Sequence, residues 1–178
     1  MKKWKKLVAL ALAAILAMSL LTACGGGGGG SSLGSQIEST IINGVNSARS
    51  VGKPTLSNDS TLRSKCAENL NQIKDGKVAA KYVVDIAPGG SVSSGVITLM
   101  VLEMPIKEDE LPDDPNALVT PKEVNIDYAK TYMKEMTSVT EESDQEFLDS
   151  ISAIGVATRT IGDKVYMAVA VTLELTDE

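Results

Sequence analysis

The residue with the clearest chemistry in this sequence is Cys24, which directly follows Leu21, Thr22 and Ala23. A cysteine sulfur is a nucleophile and can be joined to a lipid through a thioether. An apolar run from Leu7 to Leu21 precedes the site, and it is itself preceded by Lys2, Lys3, Lys5 and Lys6. A basic start, an apolar core and small residues before the cut are typical of an export signal.

The same order of residues resembles the signal of a bacterial lipoprotein. This resemblance implies cleavage after Ala23, a diacylglyceryl thioether on Cys24, and a mature protein held at the membrane outside the cytoplasm. The alternative is a membrane-spanning helix, but the run from Leu7 to Leu21 is shorter than the ~20 residues that cross a bilayer. Six glycines, residues 25–30, follow closely and would continue a helix poorly. We therefore predict a lipid-anchored, extracytoplasmic protein.

Histidine is absent from the whole sequence. This absence excludes catalytic triads and dyads in which histidine is the base, and it removes the commonest metal ligand. Cys66 stands alone once Cys24 is lipidated, so the mature chain can form no intrachain disulfide. Because Leu62, Cys66, Leu70 and Ile73 fall on one face at helical spacing, we interpret Cys66 as a buried core residue.

Two groups of acidic residues remain as candidates for chemistry. The first could attract Ca²⁺ through its carboxylates and comprises Glu103, Glu108, Asp109, Glu110, Asp113 and Asp114. Its spacing differs from that of an EF-hand, so we favour a solvated acidic loop. The second could contain an acid–base pair and comprises Glu141, Glu142, Asp144 and Glu146. Acids are equally expected at a helix N-terminus, and we predict no catalytic residue, metal or cofactor.

The charge of the mature chain limits its partners. Removing residues 1–23 takes away four of the 17 basic residues and none of the acidic ones, which leaves 13 basic and 23 acidic residues and a net charge of −10. A nucleic-acid partner is therefore not expected, because phosphate backbones are bound by clustered lysine and arginine. The same charge argues against binding of anionic lipid through the protein surface.

The sequence divides into a signal peptide at residues 1–23, a Gly/Ser-rich tether at 24–34 and one globular domain at 35–178. Apolar spacing predicts a first helix from about Ser35 that ends before Gly52 and Pro54. Asn58, Asp59 and Ser60 offer caps for a second helix, which ends before Gly76. Extended segments are predicted at 78–86 and 94–104, with a loop around residues 88–90 between them.

The second half of the domain is predicted to contain two helices and a hairpin. Residues 105–121 read as an irregular loop, and Thr120 then caps a helix that runs to about Ser138. A short helix opens at Ser143. Strands at 151–161 and 164–175 flank a turn at Gly162–Asp163, and the second strand is apolar on both faces, which indicates a central strand covered on both sides. The fold class is therefore α+β.

Two ends of the domain resemble the CAP superfamily of cysteine-rich secretory, antigen 5 and pathogenesis-related proteins. The first end carries Asn46, Arg49, Gly52, Leu56, Leu62 and Ala67, and the second carries Ile154, Gly155, Val156 and Tyr166. The resemblance implies an α-β-α sandwich with a small antiparallel sheet. It also implies a cleft, which in the family is lined by two histidines and two acids. The segment for the second histidine falls at Ser143–Glu146, so the cleft candidates here are Glu142, Gln145 and Glu146.

Because the chain lacks the family's histidines, we expect a CAP-like domain that binds without catalysis. Its ligand would be a protein, a glycan or an apolar small molecule at the cell envelope. Two alternatives stay open, namely a hydrolase that uses carboxylates and an architectural envelope protein. The hydrolase would need an acid pair such as Glu142 and Glu146 in a cleft.

Overall fold

The computed structural model describes residues 32–91, 94–101, 112, 114–136 and 142–174. Cys24 and the preceding signal residues Leu21, Thr22 and Ala23 lie outside this part of the chain. The elements in chain order are α1 (Leu33–Ala48), α2 (Ser60–Leu70), β1 (Val78–Ala79), a 3₁₀ turn (Ala80–Tyr82), β2 (Val84–Ser91), β3 (Ser94–Met100), β4 (Leu118–Val119), α3 (Ile126–Met136), α4 (Glu142–Ser150), β5 (Ile151–Ile161) and β6 (Lys164–Glu174).

Four strands form one antiparallel sheet in the order β2-β3-β6-β5, and β1 pairs with β4 in a separate two-stranded ladder. The hairpin of β5 and β6 closes at Gly162–Asp163, and Gly162 has a φ of 64°, which glycine adopts without strain. Both the predicted hairpin and its turn are confirmed. The described chain thus combines helices with antiparallel sheets, as the predicted α+β class requires.

The two faces of β6 belong to two different cores, which explains its continuous apolar sequence. Val165, Met167, Val169, Val171 and Leu173 join the core that contains the buried faces of α1, α3 and α4. Tyr166, Ala168 and Ala170 join the second core, which contains the buried residues of α2. Helices therefore pack on both faces of the sheet, and the predicted central position of this strand is confirmed.

The first two helices follow their sequence signals closely. Helix α1 begins at Leu33, because the Ser32 side chain accepts a hydrogen bond from the Ser35 N–H, and this start lies two residues before the predicted one. Helix α2 is capped by Asp59, whose carboxylate accepts from the Leu62 N–H. The apolar face of α2 is buried, and Cys66 is fully buried in the second core, as predicted.

The predicted helix start at Thr120 is wrong. The backbone there pairs with the sheet instead, since the Lys122 N–H donates to the Val101 carbonyl and the Val124 N–H donates to the Val165 carbonyl, both at 2.7 Å. Helix α3 begins at Ile126, where the Asn125 side chain accepts from the Tyr128 N–H at 2.7 Å. Long-range pairing has outweighed a local capping signal.

The loops between the strands also differ from the predictions. Residues 88–90 lie within β2, which tolerates Pro88 because it is an edge strand and shifts register between Pro88 and Ser91. The 3₁₀ turn at Ala80–Tyr82 interrupts the predicted segment 78–86, and β4 lies within the predicted irregular loop 105–121. Helix α4 begins at Glu142, one residue before the predicted cap at Ser143. No helix in the described part of the chain is both long and apolar enough to span a bilayer.

Candidate functional site

Asn46 and Arg49, from the first of the two ends compared in the sequence analysis, form hydrogen bonds with the backbone that follows α1. The Asn46 side chain accepts from the Leu56 N–H at 2.7 Å and donates to the Leu56 carbonyl at 2.8 Å. Arg49 donates through Nη2 to the Ile151 carbonyl at 2.9 Å and through Nη1 to the Pro54 carbonyl. These side chains satisfy backbone groups that have left regular structure, so their role is to position α1 against the start of β5.

The residues of the second motif hold α2 against β5. Gly155 lies so close to α2 that an added Cβ would sit 2.5 Å from the Leu62 carbonyl carbon, and Cys66 Sγ is 3.4 Å from the Gly155 carbonyl oxygen. Asn58 accepts from the Val156 N–H at 2.9 Å and donates to the Val156 carbonyl at 3.0 Å. Asn58 therefore pairs with the outer edge of β5 as a further strand would.

Glu38 forms a polar cluster that the sequence did not single out. Its carboxylate is nearly buried on α1 and accepts from the Thr158 N–H at 3.1 Å, from the Thr158 hydroxyl at 3.0 Å and from Arg63 Nε at 3.2 Å. Arg63 Nη2 and Asn58 Nδ2 donate to it as well, at 3.3 and 3.4 Å. The cluster joins α1, α2 and β5 and uses up the acceptor capacity of the carboxylate.

The three predicted cleft candidates all lie on α4. Glu142 and Glu146 are exposed. Gln145 is half-buried, and its amide donates to the Ala48 carbonyl at 3.0 Å and to Asp149 Oδ1 at 3.2 Å. Gln145 thus satisfies a carbonyl at the end of α1, which gives it a structural explanation.

Of the other candidate acids, six lie outside the described residues, Asp114 is exposed and Asp144 is half-buried on α4. Asp114 accepts a hydrogen bond from the Asn116 N–H at 2.9 Å. The acids outside the described residues are Glu103, Glu108, Asp109, Glu110, Asp113 and Glu141.

Although burial alone would raise the pKa of Asp149, hydrogen bonds from Ser50 and Gln145 and the charge of Lys53 lower it below its usual range. Across the described ranges, no group of three or more possible His, Cys, Asp or Glu ligands is placed to hold a metal ion.

A cavity of about 600 Å³ lies at the hairpin end of the sheet. Three segments form its wall: the turn after α2, the stretch from Thr120 to the start of α3, and the start of β6. The residues that line it are Asp75, Gly76, Lys77, Thr120, Pro121, Lys122, Glu123, Asn125, Tyr128, Lys164 and Tyr166. We call this the Tyr166 cavity. It does not include Glu142, Gln145 or Glu146.

Tyr166 is the most deeply placed polar side chain of this wall. The residue is 5 % exposed, and its hydroxyl lies 3.9 Å from the position of a Cβ added to Gly76. The hydroxyl makes no hydrogen bond to any other residue in the described part of the chain. The oxygen itself is accessible from the cavity, so water or a ligand there can bond to it.

Three lysines, Lys77, Lys122 and Lys164, line the same cavity as the hydroxyl. Lys122 Nζ lies 5.8 Å from the centre of the Tyr128 ring, and Lys164 Nζ lies 3.8 Å from Glu123 Oε2, with both side chains of that pair 53 % exposed. The wall contains three lysines and two acids, and is therefore net positive in a net negative protein. Such an arrangement favours the binding of polar ligands with negative charge.

Cys66 carries a potentially nucleophilic thiol in the described part of the chain, and its burial makes that thiol unreactive. Burial raises the pKa of its thiol to about 12, so the thiolate does not form near neutral pH. The thiol faces the interior between α2 and β5 and lies outside the Tyr166 cavity.

Comparison with protein-family profiles, curated proteins and solved structures gives no match to this chain.

Proposed function

We propose that this chain is a lipid-anchored extracytoplasmic protein whose CAP-like domain, an α-β-α sandwich, binds a polar ligand without catalysing a reaction. The observation that carries the binding role is the Tyr166 cavity, in which a hydroxyl that bonds to no other described residue shares the wall with three lysines. Small-molecule sites are concave and present a few placed polar groups, and this cavity is a concave surface with such groups.

The CAP-like sandwich is supported by where the matching residues lie. Asn46 and Arg49 bond the chain that leaves α1, and Gly155 lets α2 approach β5 closely. Helices cover both faces of an antiparallel sheet, which is the layer order that the resemblance implies. In this proposal Asn46, Arg49 and Gly155 specify the scaffold, while Tyr166, which also belongs to the second motif, contributes its hydroxyl to the ligand site.

A non-catalytic role is supported by the state of the groups that could react. The buried Cys66 thiol is protonated near neutral pH, and the chain has no histidine to activate a hydroxyl. The two acids of the cavity are Asp75 and Glu123, and Glu123 is paired with Lys164. A carboxylate hydrolase remains the alternative; it predicts hydrolysis of peptides or glycans that is lost in both Glu142→Gln and Glu146→Gln.

The proposed anchor is tested by metabolic labelling with a radioactive fatty acid in a bacterial host. We expect the chain to incorporate label and sediment with membranes, whereas Cys24→Ser stays uncleaved and unlabelled. Cys66→Ala is the matched control, because it removes the other cysteine and should still be labelled. Label that persists in Cys24→Ser would overturn the anchor.

A further inference from the structure

We propose that the Tyr166 cavity binds the phosphate group of a small phosphate ester. The proposal deepens the binding role proposed above and rests on it, but it does not depend on the lipid anchor. It is carried by three kinds of donor that meet at one cavity: the Tyr166 hydroxyl, the lysine ammonium groups and the N-terminus of α3.

The Tyr166 hydroxyl supplies a directed donor inside the cavity. The ring is held in the second core, so the hydroxyl is fixed in place before any ligand arrives. Because it bonds to no described residue, it can donate to a ligand oxygen without breaking a bond within the protein. A hydrogen bond to a charged oxygen is stronger than one to a neutral oxygen, so the site gains most from an anion.

The charge of the wall has the sign that an anion needs. Lys77, Lys122 and Lys164 outnumber the two acids, and Glu123 pairs with Lys164. The net charge of −10 of the mature chain weakens attraction at long range, but ions screen that field within about 8 Å at physiological salt. Local lysines therefore decide what the cavity holds.

The start of α3 adds a second source of positive potential. Asn125 lines the cavity and caps the helix, so the positive end of the α3 dipole lies beside it. Helix N-termini favour phosphate for this reason. The one acid in the first turn, Asp127, is 88 % exposed and pairs with Lys130 at 3.8 Å, which reduces its opposition to an anion in the cavity.

A phosphate ester fits these donors better than a carboxylate does. Its several charged oxygens can accept from a hydroxyl, from lysines and from backbone N–H groups in different directions at once. A volume of about 600 Å³ also leaves room for the alcohol portion of the ester, which Thr120 and Asn125 can contact through polar groups. The shared chemistry is the phosphate, and it could belong to a soluble ester or to a phospholipid headgroup.

The direction of α1 gives the phospholipid source a specific rationale. Glu38 near the start of α1 bonds Thr158, and Arg49 after its end bonds Ile151, so the helix begins toward the hairpin end of β5. The Tyr166 cavity lies at the same end. Cys24 precedes Ser32 by eight residues, a span of at most about 28 Å. If Cys24 is anchored, this end of the domain stays near the headgroups.

The test is calorimetric titration of the full chain, solubilised in a neutral detergent, with glycerol 3-phosphate. Glycerol is the uncharged control ligand and should give no binding. Tyr166→Phe removes only the hydroxyl and should weaken binding about tenfold, the effect of one hydrogen bond to a charged group. Tyr82→Phe is the matched control, because Tyr82 lies outside the cavity, and it should bind as the unchanged chain does. Binding unchanged in Tyr166→Phe would overturn the proposal.

Three further measurements separate binding from folding, test the role of the lysines and identify the source of the phosphate. The thermal midpoint of Tyr166→Phe should stay within about 3 °C of the unchanged chain, since the hydroxyl bonds no described residue. Lys164→Gln should weaken binding several-fold, whereas Lys53→Gln, which lies outside the cavity, should not. Stronger binding of dihexanoyl phosphatidylglycerol than of glycerol 3-phosphate would assign the site to a phospholipid, and the reverse order to a soluble ester.

The lipid anchor and the phosphate site are tested by different experiments, so either can fail without the other. A chain that binds the phosphate ester but takes up no fatty acid would retain the cavity assignment and remove the anchor from the proposed function. A chain that is labelled at Cys24 but binds neither phosphate compound would overturn the phosphate site and leave the anchor in place.

Discussion

Replacement of Gly155 by alanine should strongly destabilise the domain, because Gly155 is where β5 meets α2. The added Cβ would sit 2.5 Å from the Leu62 carbonyl carbon and would also collide with Leu62 Cβ and the Arg63 nitrogen. Carbon atoms pack without strain at about 3.5 Å or more, so α2 or β5 must move by about 1 Å. The colliding atoms include helix backbone, which cannot turn aside as a side chain can.

The expected loss follows from the number of elements that must move. Overpacking by one methyl group in a core typically destabilises by about 1–3 kcal/mol. We expect about 3 kcal/mol here, because the shift also lengthens the bond from Cys66 Sγ to Gly155 and the Asn58 bonds to Val156. In a domain of this size each kcal/mol lowers the thermal midpoint by roughly 2–4 °C, so a drop of about 6–12 °C is expected.

Urea unfolding followed by far-ultraviolet circular dichroism measures this loss directly. Gly162→Ala is the matched control, because Gly162 has a φ of 64° but no heavy atom within 4 Å of its added Cβ. That substitution should lose only about 1 kcal/mol from backbone strain. Equal losses in the two variants, or a loss below about 0.5 kcal/mol at Gly155, would refute the close contact between α2 and β5.

Three further predictions concern buried or bonded ionisable groups. Burial raises the pKa of the Cys66 thiol to about 12 from an ordinary value near 9. As the pH rises, the unfolded chain therefore loses this proton before the folded chain does, and the free energy of unfolding should fall between about pH 9 and 12. The Cys66→Ala variant should not show that fall. The native thiol should also resist a disulfide reagent at pH 8 and react once urea unfolds the chain. Glu38→Gln should lower the free energy of unfolding by about 2 kcal/mol, because the donors around Glu38 bond to two carboxylate oxygens and an amide has only one acceptor oxygen. The control Glu68→Gln changes an exposed side chain and should have little effect. Folding lowers the pKa of the Asp149 carboxyl. Its contribution to the free energy of unfolding is therefore present above the ordinary pKa of aspartate and is lost as the pH falls through the lower folded value. The free energy of unfolding of Asp149→Asn should vary less with pH in acid than that of the unchanged chain.

The parts of the fold that were predictable from sequence depend on short-range periodicity. The apolar face of α1 repeats at helical spacing, and β6 alternates between two cores with a period of two. The turn at Gly162 needs a residue that accepts positive φ, and glycine supplies it. In each case the residues that decide the structure are neighbours in the chain, so their pattern could be read without knowing the fold.

The wrong predictions come from contacts between distant parts of the chain. Thr120 has a good capping sequence around it, but the backbone of Lys122 and Val124 finds partners at Val101 and Val165. Likewise Pro88 suggested a loop, and the edge position of β2 removes the penalty for a missing N–H donor. Local signals measure propensity alone, and tertiary pairing outweighed them at both places.

The candidate site was less predictable than the fold, for a related reason. Tyr166 was noted only as part of the resemblance, in a strand that was predicted to be apolar on both faces. We propose its hydroxyl as a binding group because the turn at Gly76 and the start of α3, which come from distant positions in the chain, line the same cavity. By contrast Gln145, which was a predicted cleft residue, is occupied by the end of α1.

The division between scaffold and site has a physical basis in this molecule. Asn46, Arg49 and Gly155 are each constrained by backbone atoms, so substitution would disturb the packing of whole elements. The side chains of Lys77 and Lys164 are exposed at the wall of the cavity, and Lys164 pairs with the exposed Glu123, so a change in their charge would alter ligand binding with little effect on stability. A resemblance carried by the first kind of residue therefore supports a fold, and it leaves the ligand to be determined from the second kind.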